Sequence, residues 1–198
     1  MNDFYSALES RRTIYGIGNQ EVVPPARLRE ILEFCVRKSP TAFNGQQERI
    51  MLMLGKNHAR VWEIALEKLR AIVPAESFDE TEKRIAAFAA GYGTILYFED
   101  TSITKGLQEK FPTYSANFPF WAAQAGGMLK AAVWNAFSFE GMGASIQHYS
   151  ELIEDDVRSE FGVNPDWKLT AQMPFGNPTA PPDHKDIIPP SERVLVLN

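Results

Sequence analysis

The chain is poor in cysteine, with one thiol, Cys35, among 198 residues. A disulfide framework is excluded, and a reducing cytoplasm is the expected compartment. The three histidines, His58, His148 and His184, lie far apart without metal-ligand spacing, so no metal centre is expected. Positive charge is in deficit: the formal net charge is -5 and no Lys/Arg cluster stands out, which argues against a nucleic-acid partner. No apolar run reaches bilayer length. The longest tract, Phe118 to Phe139, is broken by Gln124, Lys130 and Asn135, so a membrane partner is not expected. The opening MNDFYSALESRR lacks the apolar core of a secretory signal. There is no G-x-G-x-x-G after a strand and no P-loop. No repeat or low-complexity tract is visible, and no Ser-His-Asp or Cys-His arrangement follows from the spacing.

What remains is an ordinary globular composition, 44% hydrophobic and 23% charged, long enough for a substantial core in one domain spanning residues 1–198. Asn2 can cap a first helix whose apolar positions Phe4, Ala7 and Leu8 share a face. Arg11 continues that face, while Arg12 points about 100° away, so one arginine is directed toward the body of the protein. Pro24-Pro25 opens a second helix. Its stripe of Leu28, Ile31, Leu32, Cys35 and Val36 ends before Ser39-Pro40. Glu48 to Leu54 is too short and too apolar for a surface helix and reads as a strand. Val61, Ile64, Ala65 and Leu69 mark a third helix that stops near Pro74. Ser77 caps a fourth, and Thr94 to Asp100 is a buried strand running into an acidic turn.

The segment Phe118 to Phe139 is apolar on nearly every face. Such a helix is buried all round or covered by a partner subunit. ELIEDDVRSEFG is a short helix with Gly162 as its C′ residue. WKLTAQMPFG and RVLVL are two further strand candidates, joined by an extended Pro-rich crossing. The irregular order of helices and strands predicts an α+β fold with helices around a small sheet.

Four segments could carry chemistry. SRRTI, from Ser10, is either a solvated helix end or an anion site built from guanidinium and hydroxyl groups. SPTAFNGQQER, Ser39 to Arg49, crowds amides between a helix and a strand, or is simply an Asn-Gly turn. SFEGMGASIQHY, Ser138 to Tyr149, offers backbone N–H groups around Gly141 and Gly143, or is a helix C-cap. MPFGNPTAPPDHK, Met173 to Lys185, ends a strand in a Gly turn and then delivers a lysine.

In this order, and with the stretches GYGTILYFED and QMPFGNP, the four segments resemble the FMN-dependent nitroreductases across essentially the whole chain. The sequence is most similar to the branch of Frm2- and Hbn1-like proteins. The resemblance implies an α+β fold with a central, mainly antiparallel sheet, assembled as an intertwined homodimer with two FMN molecules at the interface. It assigns Arg11, Arg12 and Thr13 to the FMN phosphate, with Lys185 or alternatively Arg193 as a further cation. A family loop motif maps onto Pro40, Thr41, Ala42, Asn44 and Gln46, with Asn44 and Gln46 reaching the ribityl chain or ring edge. Gln47 stands where the family usually has proline. Glu140 and Gly141 match the position where a backbone N–H lies near flavin N5. Lys83 and Arg84 are candidates for a basic residue that many relatives carry midway along the chain.

The implied activity is ping-pong hydride transfer from NAD(P)H through flavin N5 to a small-molecule acceptor, nitroaromatic or quinone, with no side chain acting as acid or base. Phe43, Tyr114, Phe118, Phe120 and Trp121 could line the open flavin face or pack the core. Two other readings compete. One is a flavin-binding sensor with little turnover, since the branch is linked to lipid and stress responses. The other is an interaction module without flavin.

Overall fold

In the computed structural model, which describes residues 4–197, helices pack on both faces of an antiparallel sheet. The helices are α1 (Phe4–Ser10), α2 (Pro25–Lys38), α3 (Lys56–Arg70), α4 (Phe78–Ala89), α5 (Thr101–Lys110), α6 (Phe118–Phe139) and α7 (Ser150–Phe161). The strands are β1 (Ile17–Gly18), β2 (Glu48–Leu54), β3 (Gly93–Asp100), β4 (Gly143–Ala144) and β5 (Trp167–Pro178). The sheet order is β1-β5-β3-β2, with β4 also paired to β5, and every pairing is antiparallel. The α+β class and the mainly antiparallel sheet are as the sequence implied.

Strand side chains alternate between faces, and β3 uses both. Ile95 and Tyr97 join α2, α6 and Met173 of β5 in one core; Leu96 and Phe98 join α3, α4 and α7 in the other. A bulge opposite Tyr97 and Phe98 leaves Thr170 out of register, which sends Leu169 to one core and Ala171 to the other. The Thr170 hydroxyl donates to the Tyr97 carbonyl at 3.1 Å. In the second core, the Trp62 indole N–H donates to Thr94 Oγ1 at 2.8 Å. His58 Nδ1 lies 2.8 Å from the same hydroxyl and its Nε2 lies 3.0 Å from the Ala89 carbonyl. Burial holds the His58 pKa below its usual value.

Several expectations need correction. Val36 stands exposed at the end of its stripe. Helix α1 buries none of its described residues, so Phe4 and Leu8 face outward. The proposed cap Asn2 lies outside the described residues. Ser77 makes no side-chain cap bond, because a 3-10 turn over Ala75–Ser77 leads directly into α4. Helix α5 went unforeseen: Gly106 interrupts its pattern, and Asp100, read as part of an acidic turn, is its N-cap through Ser102 N–H. Helix α6 is not buried all round. One stripe, Phe118, Ala122, Ala125, Leu129, Val133 and Phe137, is buried, while Phe120, Met128 and Phe139 are exposed. RVLVL forms no strand, since no sheet edge of its own chain meets it; Val194 to Leu197 are exposed. Among the described residues no helix is long and apolar enough to cross a membrane.

Thr94→Val leaves the Trp62 and His58 nitrogens without their partner and should lower stability by about 1–3 kcal/mol. In the wild type, the unfolded imidazole binds its proton near the ordinary value of 6.5 and the folded one only at lower pH. Stability should therefore fall as pH drops below about 6.5. Urea unfolding between pH 7.5 and 5 checks both outcomes.

Candidate functional site

Helix α1 ends at Ser10, and the next residues are fixed from three sides. Ser10 Oγ meets Ser138 Oγ at 3.1 Å, Arg11 N–H returns to the Ala7 carbonyl, and Ile14 N–H donates to the Ala144 carbonyl at 3.0 Å. The Arg11 guanidinium lies 4.6 Å from the centre of the Trp134 ring, on α6. Arg12 donates to the backbone carbonyl of Asp183. Both arginines are therefore anchored and half-buried, whereas the sequence directed only one inward.

The far end of the chain arrives through β5. β1 pairs with its last residues, Ile17 opposite Pro178, and Thr179 N–H donates to the Gly16 carbonyl at 2.8 Å. The backbones come so close that a Cβ on Gly16 would stand 2.7 Å from Ala180 Cβ. The segment then runs back beside residues 11–15. The result is a cavity of about 230 Å³ lined by Arg11, Arg12, Thr13, Tyr15, Asp183, His184 and Lys185. Three cations, Arg11, Arg12 and Lys185, and the hydroxyls of Thr13 and Tyr15 line it beside a single acid, Asp183. No carboxylate is ion-paired with Arg11, Arg12 or Lys185 among the described residues; the nearby His184 pairs with Asp186 at 3.0 Å. This donor set suits a phosphate dianion.

The other predicted residues lie elsewhere. Thr41 and Gln46 line a separate open groove of about 820 Å³ between α2 and the free edge of β2. Glu48 faces the same groove, and burial holds its carboxyl above the usual range. Ala42 borders a smaller cavity with Phe43 and Trp121; Pro40 and Asn44 are exposed. Glu140 is paired with Arg27 at 2.6 Å and lines a third groove with Phe4 and Phe139. The N–H groups of Glu140 and Gly141 donate to the carbonyls of Ala136 and Ser138, with Met142 N–H on Phe137 and φ of +84° at Gly141. This is the helix C-cap that the sequence left as an alternative. Gly143 is held in β4 opposite Gly176. Arg193 caps a 3-10 turn, Pro190–Glu192, and is not part of the cradle wall.

Sequence reasoning assigned no role to Tyr15, Asp183 or His184; Asp183 and His184 reach the cavity because the chain after β5 turns back beside residues 11–15. The Tyr149 phenol pKa is raised by burial, opposed by the charge of Arg84 and reinforced by Tyr15.

A family model described as the nitroreductase family matches residues 8–177. The chain belongs to the nitroreductase family. Nitroreductase FRM2 of Saccharomyces cerevisiae is 30% identical over 195 residues, covering 94% of this chain and 93% of its own length. The putative nitroreductase HBN1 of the same yeast is 30% identical over 187 residues, with 93% of each chain covered. Among solved structures, the nitroreductase CinD of Lactococcus lactis is 36% identical and covers 99% of this chain and 100% of its own. Its complex with chloramphenicol superposes with a TM-score of 0.91, and its complex with 4-nitrophenol with 0.90. A nitroreductase with bound FMN from Desulfitobacterium hafniense, 15% identical with both chains fully covered, shares the fold at a TM-score of 0.71.

Gly16→Ala forces the Thr179–Lys185 segment away from residues 11–15, since Ala180 cannot swing aside. It should destabilise the protein by about 1–3 kcal/mol and weaken inorganic phosphate binding. Thermal unfolding with and without phosphate reads both effects.

Proposed function

We propose that this nitroreductase-family chain is an FMN-dependent oxidoreductase, one FMN-binding domain over residues 1–198 acting as a cytoplasmic homodimer. The observation that carries the proposal is the cradle, where Arg11, Arg12, Thr13 and Lys185 converge from opposite ends of the chain. These four would hold the phosphate, Arg11 keeping its guanidinium against Trp134 and Arg12 bracing the returning segment at Asp183. Lys185 takes the cationic role for which Arg193 was the alternative. The chemistry supplied by bound FMN is two-electron transfer from NAD(P)H to a nitroaromatic or quinone acceptor in a ping-pong cycle. A nitroaromatic acceptor agrees with the 4-nitrophenol complex of CinD. Glu140 and Gly141 enter as a shaped turn beside the flavin site, with Gly143 following in β4; the N–H groups of Glu140 and Gly141 already close α6.

The residues assigned to FMN fall into separate cavities of one chain: the cradle shares no wall residue with the Thr41–Gln46 groove. A homodimer reconciles them if Pro40, Thr41, Ala42, Asn44 and Gln46 act on the partner's flavin. Unpartnered apolar surface supports that assembly. Phe4, Phe120 and Phe139 are exposed, β2 has a free edge, and the tail Val194 to Leu197 has no strand to join. The single, buried Cys35 suits a reducing compartment.

The purified protein should show flavin absorbance, bleach anaerobically with NADH or NADPH, and recover colour with a nitroaromatic or quinone. Flavin that never bleaches would move the reading to a sensor, and failure to take up FMN would end it. Arg11→Gln should weaken FMN binding by roughly 10- to 150-fold, the equivalent of about 1.5–3 kcal/mol for a charge-assisted contact. Deleting residues after Glu192 should shift the sedimentation coefficient from dimer toward monomer.

A further inference from the structure

The backbone of the Thr41–Gln47 loop adopts a conformation that side-chain-bearing residues seldom take. Phe43, Asn44 and Gln46 have φ of 53°, 55° and 56°. Three left-handed, non-glycine residues within four positions persist only where their surroundings over-determine them. Two of the restraints act directly on Phe43 and Gln46, one by packing across to distant rings and one within the loop. The Phe43 ring packs 4.7 Å from Phe111 and 5.3 Å from Phe118, and lies nearly parallel to Trp121 at 6.0 Å. Gln46 N–H donates to Thr41 Oγ1 at 3.1 Å.

The third restraint ties the loop to β2 and β3. Arg49 Nη1 donates to the carbonyls of Gln46, at 2.7 Å, and Glu48, at 3.0 Å. Its Nη2 pairs with Asp100 at 3.0 Å, and the guanidinium lies 5.6 Å from the centre of the Trp167 ring. Asp100 grips the loop from the other side, its N–H donating to the Gln47 carbonyl at 2.7 Å. Its second carboxylate oxygen accepts from Ser102 N–H at 3.2 Å and Ser102 Oγ at 2.6 Å, which starts α5. Asp100 is 8% exposed, so its charge depends on these partners. A guanidinium holds its N–H groups in a fixed planar fork that meets two carbonyls and a carboxylate at once; an ammonium has three N–H groups but no such fixed geometry.

We infer that Arg49 and Asp100 are a positioning pair that holds the strained loop in its ligand-ready shape, fixing where Asn44 and Gln46 project. The part of this inference that concerns FMN rests on the proposed function; the part that concerns the loop does not. Neither residue belongs to the phosphate cradle, so the pair governs one half of the binding surface and leaves the other untouched.

The test is amide hydrogen exchange of the protein as isolated, without added ligand, followed by FMN and inorganic phosphate titrations. Arg49→Gln should speed exchange of the Gln46 amide at least tenfold while the β3–β5 amides keep their wild-type rates. Arg49→Lys should fall between the two, and Asp100→Asn, which keeps an acceptor for Ser102, should speed Gln46 by a smaller factor. FMN affinity should drop at least fivefold in Arg49→Gln with phosphate affinity at the cradle unchanged. An unchanged Gln46 rate, or a parallel rise in the β3–β5 amides, would overturn the pair's role. If Arg49→Gln does not fold, the same comparison in Asp100→Asn decides. A wild type that takes up no FMN while Gln46 still responds to Arg49 would sink the FMN reading and leave the positioning role standing.

Discussion

Strand β3 has almost no solvent face, and the rest of the molecule follows from that. A strand buried on both sides needs helices on both sides and a hydrogen-bonding neighbour along each edge. β2 and β5 supply the edges, α2 and α6 cover Ile95 and Tyr97, and α3, α4 and α7 cover Leu96 and Phe98. Because β5 must run the length of β3 and past it, its end reaches β1 and β4, and the chain then turns back toward residues 11–15. The cavity beside Arg11 and Arg12 is a by-product of covering the central strand.

Much of this was legible in the residues. β2 has the bounds its apolar run implied, α2 stops at Lys38 before Ser39-Pro40, and Gly162 ends α7 with φ of +63°. These features are written in local chemistry. What was illegible depends on meetings between distant segments. Nothing in TSITKGLQEK announces α5 except an Asp100 cap whose role appears only when Ser102 folds over it. Asp183 and His184 become neighbours of Arg11 through a crossing that no periodicity records. RVLVL has the composition of a strand, but composition cannot supply an edge for it to pair with.

The chemistry-bearing regions share a physical trait: each holds something the core would not tolerate. The cradle gathers uncompensated cations, and the Thr41–Gln47 loop stores backbone strain. Both are held by contacts beyond the groups they present, Trp134 and the Asp183 backbone carbonyl in one case, Arg49 and Asp100 in the other. Stability elsewhere in the fold is what allows these costly arrangements to persist.

The buried contact among Trp62, Thr94, His58 and Ala89 has a direction. An indole nitrogen can only donate and a carbonyl can only accept. Thr94 Oγ1 therefore receives the indole proton, and its own proton must go to His58 Nδ1. His58 Nε2 is left to carry hydrogen to Ala89. The imidazole is fixed as a single tautomer by groups that cannot exchange roles, and each bond polarises the next. The chain from α3 through β3 to the end of α4 is thus an oriented wire of dipoles. A side chain of matching size with its donor and acceptor reversed cannot take the place of any link in it.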